Sequence, residues 1–242
     1  MAGTWSLLKK IGQKKIDEVK ESFQKDWGDR IDKDLPLGLR MSGMVDVPEV
    51  DFILAGADLK VKHPKETLVV ASIGVIPVGD SMLYRFYLNA SQGVYVLQVS
   101  ADKNRAVEEC KFYMPYDEVH PEDWDFWLSK TDGYIGFSVF QTKDGTAYDR
   151  VWQDAGAETT VDEDDQGNRL TRIPPVPFYE VVYLDPFGEK RETVRYESML
   201  YGRRVTEQVD EYLLLSLVEE SDGASIQIMV GLEMEPASIK VI

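Results

Sequence analysis

The sequence predicts an α+β fold that is mainly antiparallel β-sheet, built from meanders and hairpins, with an N-terminal amphipathic helix and one short central helix. Two observations lead to this class. Residues 194–232 contain three consecutive segments of strand character joined by turns, and similar hairpins recur earlier in the chain. Too few helical segments separate the strands for a doubly wound α/β fold.

The first element is a helix over residues 4–27, with Thr4 as its N-cap and Gly28 just past its end. Its apolar stripe spans an arc of about 100° and contains Trp5, Leu8, Ile16, Val19, Phe23 and Trp27. Lysines accompany this stripe at Lys9, Lys10, Lys14 and Lys15. This composition favours docking on an anionic membrane or on a partner protein. The alternative is that the stripe packs on the chain's own β domain.

The next part of the chain predicts irregular structure, then strands. Residues 35–64 are rich in Gly, Pro and Asp, with a short strand predicted at 52–54. A buried strand follows at 67–78, and the next strands are predicted at 82–88, 94–100 and 107–114. The first two of these form a hairpin.

Residues 120–123 then predict a helix start, because a proline and two acids suit the positive end of a short helix over 121–130. A hairpin at 134–152 turns at Lys143, Asp144 and Gly145. Residues 154–177 contain an acidic run and three prolines, so we expect a long exposed loop. We predict an arm at 1–30 and a mainly-β domain at 31–242, with this loop as the boundary if the domain has two lobes.

Strands resume at 178–184 and then form the C-terminal meander. Residues 194–201 alternate with a period of two, as expected for a strand with one buried face. A turn is predicted at 202–204. Residues 212–218 are apolar on both faces, which predicts an interior strand covered from two sides. A turn at 221–223 leads to the last strand of the meander, 224–230.

Three segments of this meander, 197–203, 211–214 and 228–231, resemble the C-terminal half of the YjfK-like family of uncharacterised bacterial proteins. The chain length and the Lys-rich N-terminal helix are also similar. The resemblance implies a cytoplasmic bacterial protein without an assigned activity. Relatives tend to be encoded beside a phage-shock-protein-A-like protein, a small membrane protein and an ATP-grasp ligase resembling glutathionylspermidine synthase. That context implies an accessory role in envelope stress.

The net charge and the cysteine content of the chain limit which partners and which cellular compartment we expect. The net charge of −16 repels phosphate backbones, so we expect no nucleic-acid partner. The first 27 residues contain six lysines and four acids, net +2, which leaves 21 basic and 39 acidic residues, net −18, for the rest. The single cysteine, Cys110, allows no intramolecular disulfide, and the apolar run 68–78 is too short to span a membrane. We expect a cytoplasmic protein, peripheral to the inner membrane.

Two groups of residues suggest binding chemistry. The basic residues Arg191, Arg195, Arg203 and Arg204 are a candidate anion site, and the alternative is that they form cross-strand ion pairs. Residues 162–173 resemble a calcium loop that offers Asp162, Asp164 and Gln166 as weak metal ligands. Ile173 stands where the bidentate glutamate belongs, so we expect no tight calcium binding.

No sequence motif indicates a catalytic residue or a cofactor, so we predict neither. His120 lies beside acids that a helix start explains, and Cys110 has the pattern of a small buried side chain. The leading hypothesis is a non-enzymatic binding or adaptor protein with a protein partner. The alternative is a small-molecule binder or enzyme with an aromatic-lined pocket. A concave pocket with paired titratable groups would favour the alternative, whereas an exposed apolar patch would favour the first.

Overall fold

The computed structural model describes residues 30–56, 58–128, 134–153, 159–163, 169–220 and 223–242. The described strands form a twelve-stranded antiparallel sheet and a separate two-stranded sheet. The mainly antiparallel β fold is therefore confirmed. The N-terminal helix predicted over residues 4–27 lies outside the described residues.

The strands of the large sheet that precede residue 154 are β1 Met44–Asp46, β2 Leu68–Val78, β3 Ser81–Ala90, β4 Gly93–Ala101, β5 Val107–Val119, β6 Val139–Gln141 and β7 Ala147–Arg150. The two-stranded sheet consists of β8 Thr159–Glu163 and β9 Arg169–Arg172. The remaining strands of the large sheet are β10 Val176–Tyr183, β11 Arg191–Arg204, β12 Asp210–Glu220, β13 Gly223–Glu233 and β14 Lys240–Val241. Short helices span Val50–Ala55 and Trp124–Leu128.

Eight strands close into a barrel in the order β2, β3, β4, β5, β13, β12, β11 and β10. Strand β10 closes the ring, because it pairs with β11 over eight residue pairs and with β2 over three. The strands β1 and β14 extend the sheet beyond β2, and β7 and β6 extend it beyond β11. Segments on both sides of residues 154–177 thus share one sheet.

Alternation along each strand separates a lumen face from an outer face. Side chains from strands on opposite sides of the ring meet in the lumen, where the apolar ones are Tyr87, Val94, Val96, Tyr113, Val182, Leu200 and Leu214. The outer face packs against covering segments from residues 39–61 and 135–148 in a larger cluster that includes Met41, Phe52, Phe86, Leu97, Phe112, Phe140, Tyr148 and Leu215. The interior strand predicted at 212–218 is confirmed as β12, which lies between β11 and β13 with most of its residues buried.

Two local predictions were wrong. Residues 52–54 are part of the helix Val50–Ala55, because Phe52 and Ala55 are buried at the three-residue spacing of a helix face. Residues 202–204 form no turn, because β11 continues through Arg204 and pairs with β12 as far as Asp210. The Tyr212 ring lies beside Gly202, where the absence of a side chain leaves room for it.

The predicted loop at 154–177 was partly wrong, because it contains β8, β9 and the start of β10. The central helix is confirmed at Trp124–Leu128, and the hairpin at 134–152 is confirmed as β6 and β7 with shorter strands. The three-strand meander is confirmed as β11, β12 and β13. Most elements predicted from local alternation and turn residues are thus present in the fold.

Candidate functional site

The lumen contains an ion pair that is removed from water. Arg85 on β3 donates through Nη1 to Glu180 Oε2 on β10 at 2.9 Å. The Tyr87 hydroxyl donates to Glu180 Oε1 at 2.8 Å, and Arg85 Nε donates to Gln98 Oε1 at 3.1 Å. All four residues are buried. Each charge therefore has polar partners, which a buried charge needs to avoid a large desolvation penalty.

Glycine and aromatic residues complete the surroundings of this ion pair. An added Cβ at Gly74 would lie 1.6 Å from Glu180 Oε1, so a glycine is needed where the carboxylate crosses β2. The Arg85 guanidinium lies 5.3 Å from the Phe178 ring centroid and 5.2 Å from that of Tyr196, within cation–π range. Burial is the largest single influence on the pKa of Arg85 and lowers it, but Glu180, Tyr87 and Tyr196 together outweigh burial and raise the pKa overall.

A small cavity remains in the lumen beside the ion pair. Its volume is about 20 Å³, and its lining includes Tyr113, Leu214, Ser216 and Gln227. This volume holds about one water molecule, whereas small-molecule sites occupy roughly 300 to 1,000 Å³. Within the described residues, the Tyr113 hydroxyl and Gln227 Nε2 have no hydrogen-bond partner. The lumen thus has room for a bridging water and for no larger ligand.

Tyr113 provides a test of how well the lumen is closed to bulk water. Burial raises the pKa of its hydroxyl above the ordinary value of 10, and Glu109 raises it further. Because the folded-state pKa is raised, the hydroxyl makes its full contribution to stability below about pH 10, the ordinary pKa of tyrosine. This contribution is lost as the pH rises toward the folded-state pKa. We expect Tyr113→Phe to be neutral or slightly stabilising at pH 8, because the hydroxyl has no protein partner to lose, and we expect its stability relative to wild type to rise further, by about 1.4 kcal/mol, at pH 11.

Urea unfolding of both proteins at pH 8 and pH 11 measures this difference. Tyr179→Phe is the matched control, because Tyr179 is exposed on the outer face of β10. Equal stability of Tyr113→Phe and wild type at pH 11 would mean that Tyr113 ionises as readily in the folded protein as in the unfolded chain, which would contradict its burial from bulk water.

The candidate anion site is divided between the two ends of β11. Arg195 pairs with Glu197 at 2.6 Å and with Glu219 at 2.5 Å. Arg203 lies eight residues further along the strand, a distance of roughly 26 Å. The structure therefore does not bring the four arginines together. Arg204 pairs with Asp210, and Arg191 is exposed at the start of the strand.

Glu211 fastens three parts of the chain to β12. Its Oε1 accepts hydrogen bonds from the backbone N–H of Lys60 at 2.5 Å and of Val61 at 3.0 Å. Its Oε2 accepts from the Tyr148 hydroxyl and from Arg203 Nε, each at 2.8 Å. Glu211 is fully buried. Arg203 thus belongs to a saturated structural network and has little capacity to bind an external anion.

The other candidate residues have separate locations. Cys110 is buried, and burial raises the pKa of its thiol to about 12, so little thiolate exists at neutral pH. Asp162 lies in β8, while Asp164, Gln166 and the N-terminal docking residues lie outside the described residues. In the described part of the chain, no three His, Cys, Asp or Glu side chains group as metal ligands.

Sequence reasoning missed the lumen residues Arg85, Tyr87, Gln98 and Glu180. One signal was available: Glu180 occupies the same face of its strand as Phe178 and Val182. A charged residue at such a position predicts either a wet face or a buried partner. The sequence does not show that this partner is Arg85, which lies 95 residues earlier.

Among the described helices, Val50–Ala55 has the most exposed apolar surface. Val50, Ile53 and Leu54 are 53%, 67% and 57% exposed, and their i, i+3, i+4 spacing places them on one face. Phe52 and Ala55 anchor the opposite face. An exposed apolar patch of this kind is typical of a contact surface. None of the described helices is both long and apolar enough to cross a membrane.

Comparison with known proteins places the chain among uncharacterised relatives. A family model described as "Protein of unknown function (DUF2491)" matches residues 10–240. The uncharacterized protein YjfK of Escherichia coli (strain K12) is 24% identical over 182 residues, which cover 75% of this chain and 76% of YjfK. No solved structure matches the chain. The matched region extends well beyond the C-terminal segments that carry the resemblance.

Proposed function

Because this chain belongs to the DUF2491 family of proteins of unknown function, membership assigns no activity, and we propose from its geometry that it is a non-enzymatic adaptor. In this proposal, residues 1–27 dock on an anionic membrane surface, and the acidic barrel contacts a protein partner. The setting we propose is a bacterial membrane-stress system, which the resemblance implies.

The observation that carries the proposal is the closed lumen, in which the two buried charges neutralise each other. Its ion pair is saturated by Tyr87 and Gln98, and its cavity of about 20 Å³ leaves no room for a substrate. Chemistry on a small molecule needs a pocket with convergent groups that remain available. A small-molecule site inside the barrel would therefore require the barrel to open. Surface contacts fit this geometry better.

Charge distribution supports the choice of membrane. The first 27 residues carry net +2 and the rest net −18, so an anionic surface attracts the first segment and repels the body. Each lysine near such a surface contributes about 1 kcal/mol, and salt weakens this attraction. The Trp-containing stripe predicted for the segment suits the interfacial region.

Vesicle flotation of the full-length protein tests the proposal. We expect binding to vesicles containing anionic lipid at low salt and none to neutral vesicles. Replacing Lys9, Lys10 and Lys14 with Glu removes about 3 kcal/mol of attraction and adds repulsion, so partitioning should fall by roughly a hundredfold or more.

The matched control replaces Lys65, Lys103 and Lys240, which are exposed on the body, with Glu. This variant has the same net charge and should retain most of the vesicle binding. Equal loss in both variants would mean that net charge alone governs the effect. Failure of the wild-type protein to bind anionic vesicles would exclude membrane docking.

A further inference from the structure

The helix Val50–Ala55 lies beside an acidic cleft of about 510 Å³. Asp51 of this helix lines the cleft together with Glu108, Glu109, Asp210, Glu233 and Glu235. Apolar side chains that include Leu232 and Met234 also line it. We call the face formed by Val50, Ile53 and Leu54, together with this cleft, the helix–cleft surface.

Several carboxylates of the cleft lack a cationic partner. Glu109 pairs with Lys111, and Asp210 pairs with Arg204. In the described part of the chain, Asp51, Glu108 and Glu235 form no ion pair with a lysine or arginine. Asp51 Oδ2 is buried and has no hydrogen-bond partner there. Burial raises the pKa of the Asp51 carboxyl, and Glu235 raises it further. A cation placed in the cleft would relieve this repulsion.

We infer that residues 1–27 of the same chain dock on the helix–cleft surface. The surface combines exposed aliphatic side chains with unpaired carboxylates, so it complements an apolar stripe flanked by lysines. Residues 1–27 have this composition, with six lysines and a stripe that includes Trp5, Phe23 and Trp27. The net charges of +2 on the segment and −18 on the rest of the chain are opposite, so the two parts also attract each other electrostatically.

The reach of the segment follows from its length and its attachment point. Arg30 is fixed where the described chain begins, because it pairs with Asp32 at 2.7 Å and donates to the Met41 carbonyl at 3.0 Å. The predicted helix of 24 residues would extend about 36 Å, comparable to the diameter of a small domain. Docking within one chain also loses less translational entropy than recruitment of a separate partner.

Docking within the chain has a regulatory consequence that rests on the proposed membrane function. The stripe cannot pack on the helix–cleft surface and enter a membrane at the same time. Anionic vesicles therefore compete with the body for residues 1–27. The segment is sequestered until a sufficiently anionic surface displaces it.

Photo-crosslinking in the full-length protein tests the docking. A photoreactive amino acid replaces Ile53, and mass spectrometry identifies the crosslinked peptides. We expect crosslinks to residues 1–27 in a species that runs at the monomer mass. The control places the same amino acid at Tyr179, which is 60% exposed on the outer face of β10, and should give no crosslink to residues 1–27.

Charge variants separate this docking from non-specific contact. Replacing Lys9, Lys10 and Lys14 with Glu places acids against acids and should lower the crosslinked fraction from position 53 by roughly half or more. The Lys65, Lys103 and Lys240 variant should leave that fraction unchanged. Crosslinks only at the dimer mass, none to residues 1–27, or an equal yield in both variants would overturn the docking.

The membrane function and the docking fail in different ways. Wild-type crosslinks without binding to vesicles at any anionic lipid content would exclude the membrane function and retain the docking. Vesicle binding without crosslinks from position 53 would overturn the docking and retain the membrane function. If both hold, adding anionic vesicles should lower the crosslinked fraction from position 53.

Discussion

Leu215→Asp is expected to abolish folding. Leu215 is fully buried on the outer face of β12, with Met199 opposite on β11 and Ile228 opposite on β13. An aspartate there would lose the apolar contacts and bury a carboxylate among them with no basic partner. The expected penalty is about 5 kcal/mol or more, which approaches the typical stability of about 5 to 15 kcal/mol for a whole protein.

Soluble yield and thermal unfolding followed by circular dichroism measure this effect. Val78→Asp is the matched control, because Val78 is exposed in β2 and an aspartate there remains in water. The control should retain a cooperative transition near that of the wild type. A native melting transition in Leu215→Asp would show that the outer face of β12 is accessible to water.

Glu180→Ala is expected to lower the free energy of unfolding by about 3 to 5 kcal/mol, because it leaves the Arg85 guanidinium buried without a counter-charge. The Tyr87 hydroxyl also loses its acceptor. Urea unfolding at neutral pH measures the change. Glu197→Ala is the control, because Glu197 pairs with Arg195 at the surface, where such pairs contribute about 0.2 to 1 kcal/mol.

A double variant distinguishes loss of the charge partner from loss of packing. Arg85→Met combined with Glu180→Met removes both charges and keeps most of the volume, so it should recover much of the stability lost in Glu180→Ala. Equal destabilisation by Glu180→Ala and Glu197→Ala would mean that water reaches Arg85. Failure of the double variant to recover stability would mean that the polar contacts themselves hold the lumen together.

The sequence predicts the hairpins well because their signals are local. The pairing of β3 with β4, of β6 with β7 and of β12 with β13 follows from alternation next to turn residues. The helix at Val50–Ala55 was missed because its six residues fit two descriptions, an apolar strand and a short helix with two buried positions. A short apolar run does not distinguish them.

The barrel and its ion pair depend on contacts that alternation does not specify. Alternation places Arg85 and Glu180 on buried faces, but it does not state that β3 and β10 flank the same strand, β2. The anion-site hypothesis grouped Arg195 with Arg203 because they are close in sequence, although an extended strand separates them. The ion pair depends on strand partners that are distant in sequence, whereas the separation of the arginines follows from the length of β11.

Closure of the barrel by β10 also shapes how the chain folds. The pairing of Val181 with Val75 joins residues 106 positions apart in sequence, whereas β2 through β5 and β11 through β13 form from neighbouring hairpins. Contacts between distant residues require a large loss of chain entropy before they contribute stability, so they form slowly. The β5–β13 seam also joins distant residues, because Glu233 pairs with Lys111, 122 positions earlier. The β2–β10 and β5–β13 seams are therefore both late steps, and until they form the nascent chain presents unpaired strand edges to the chaperones and neighbouring chains around it.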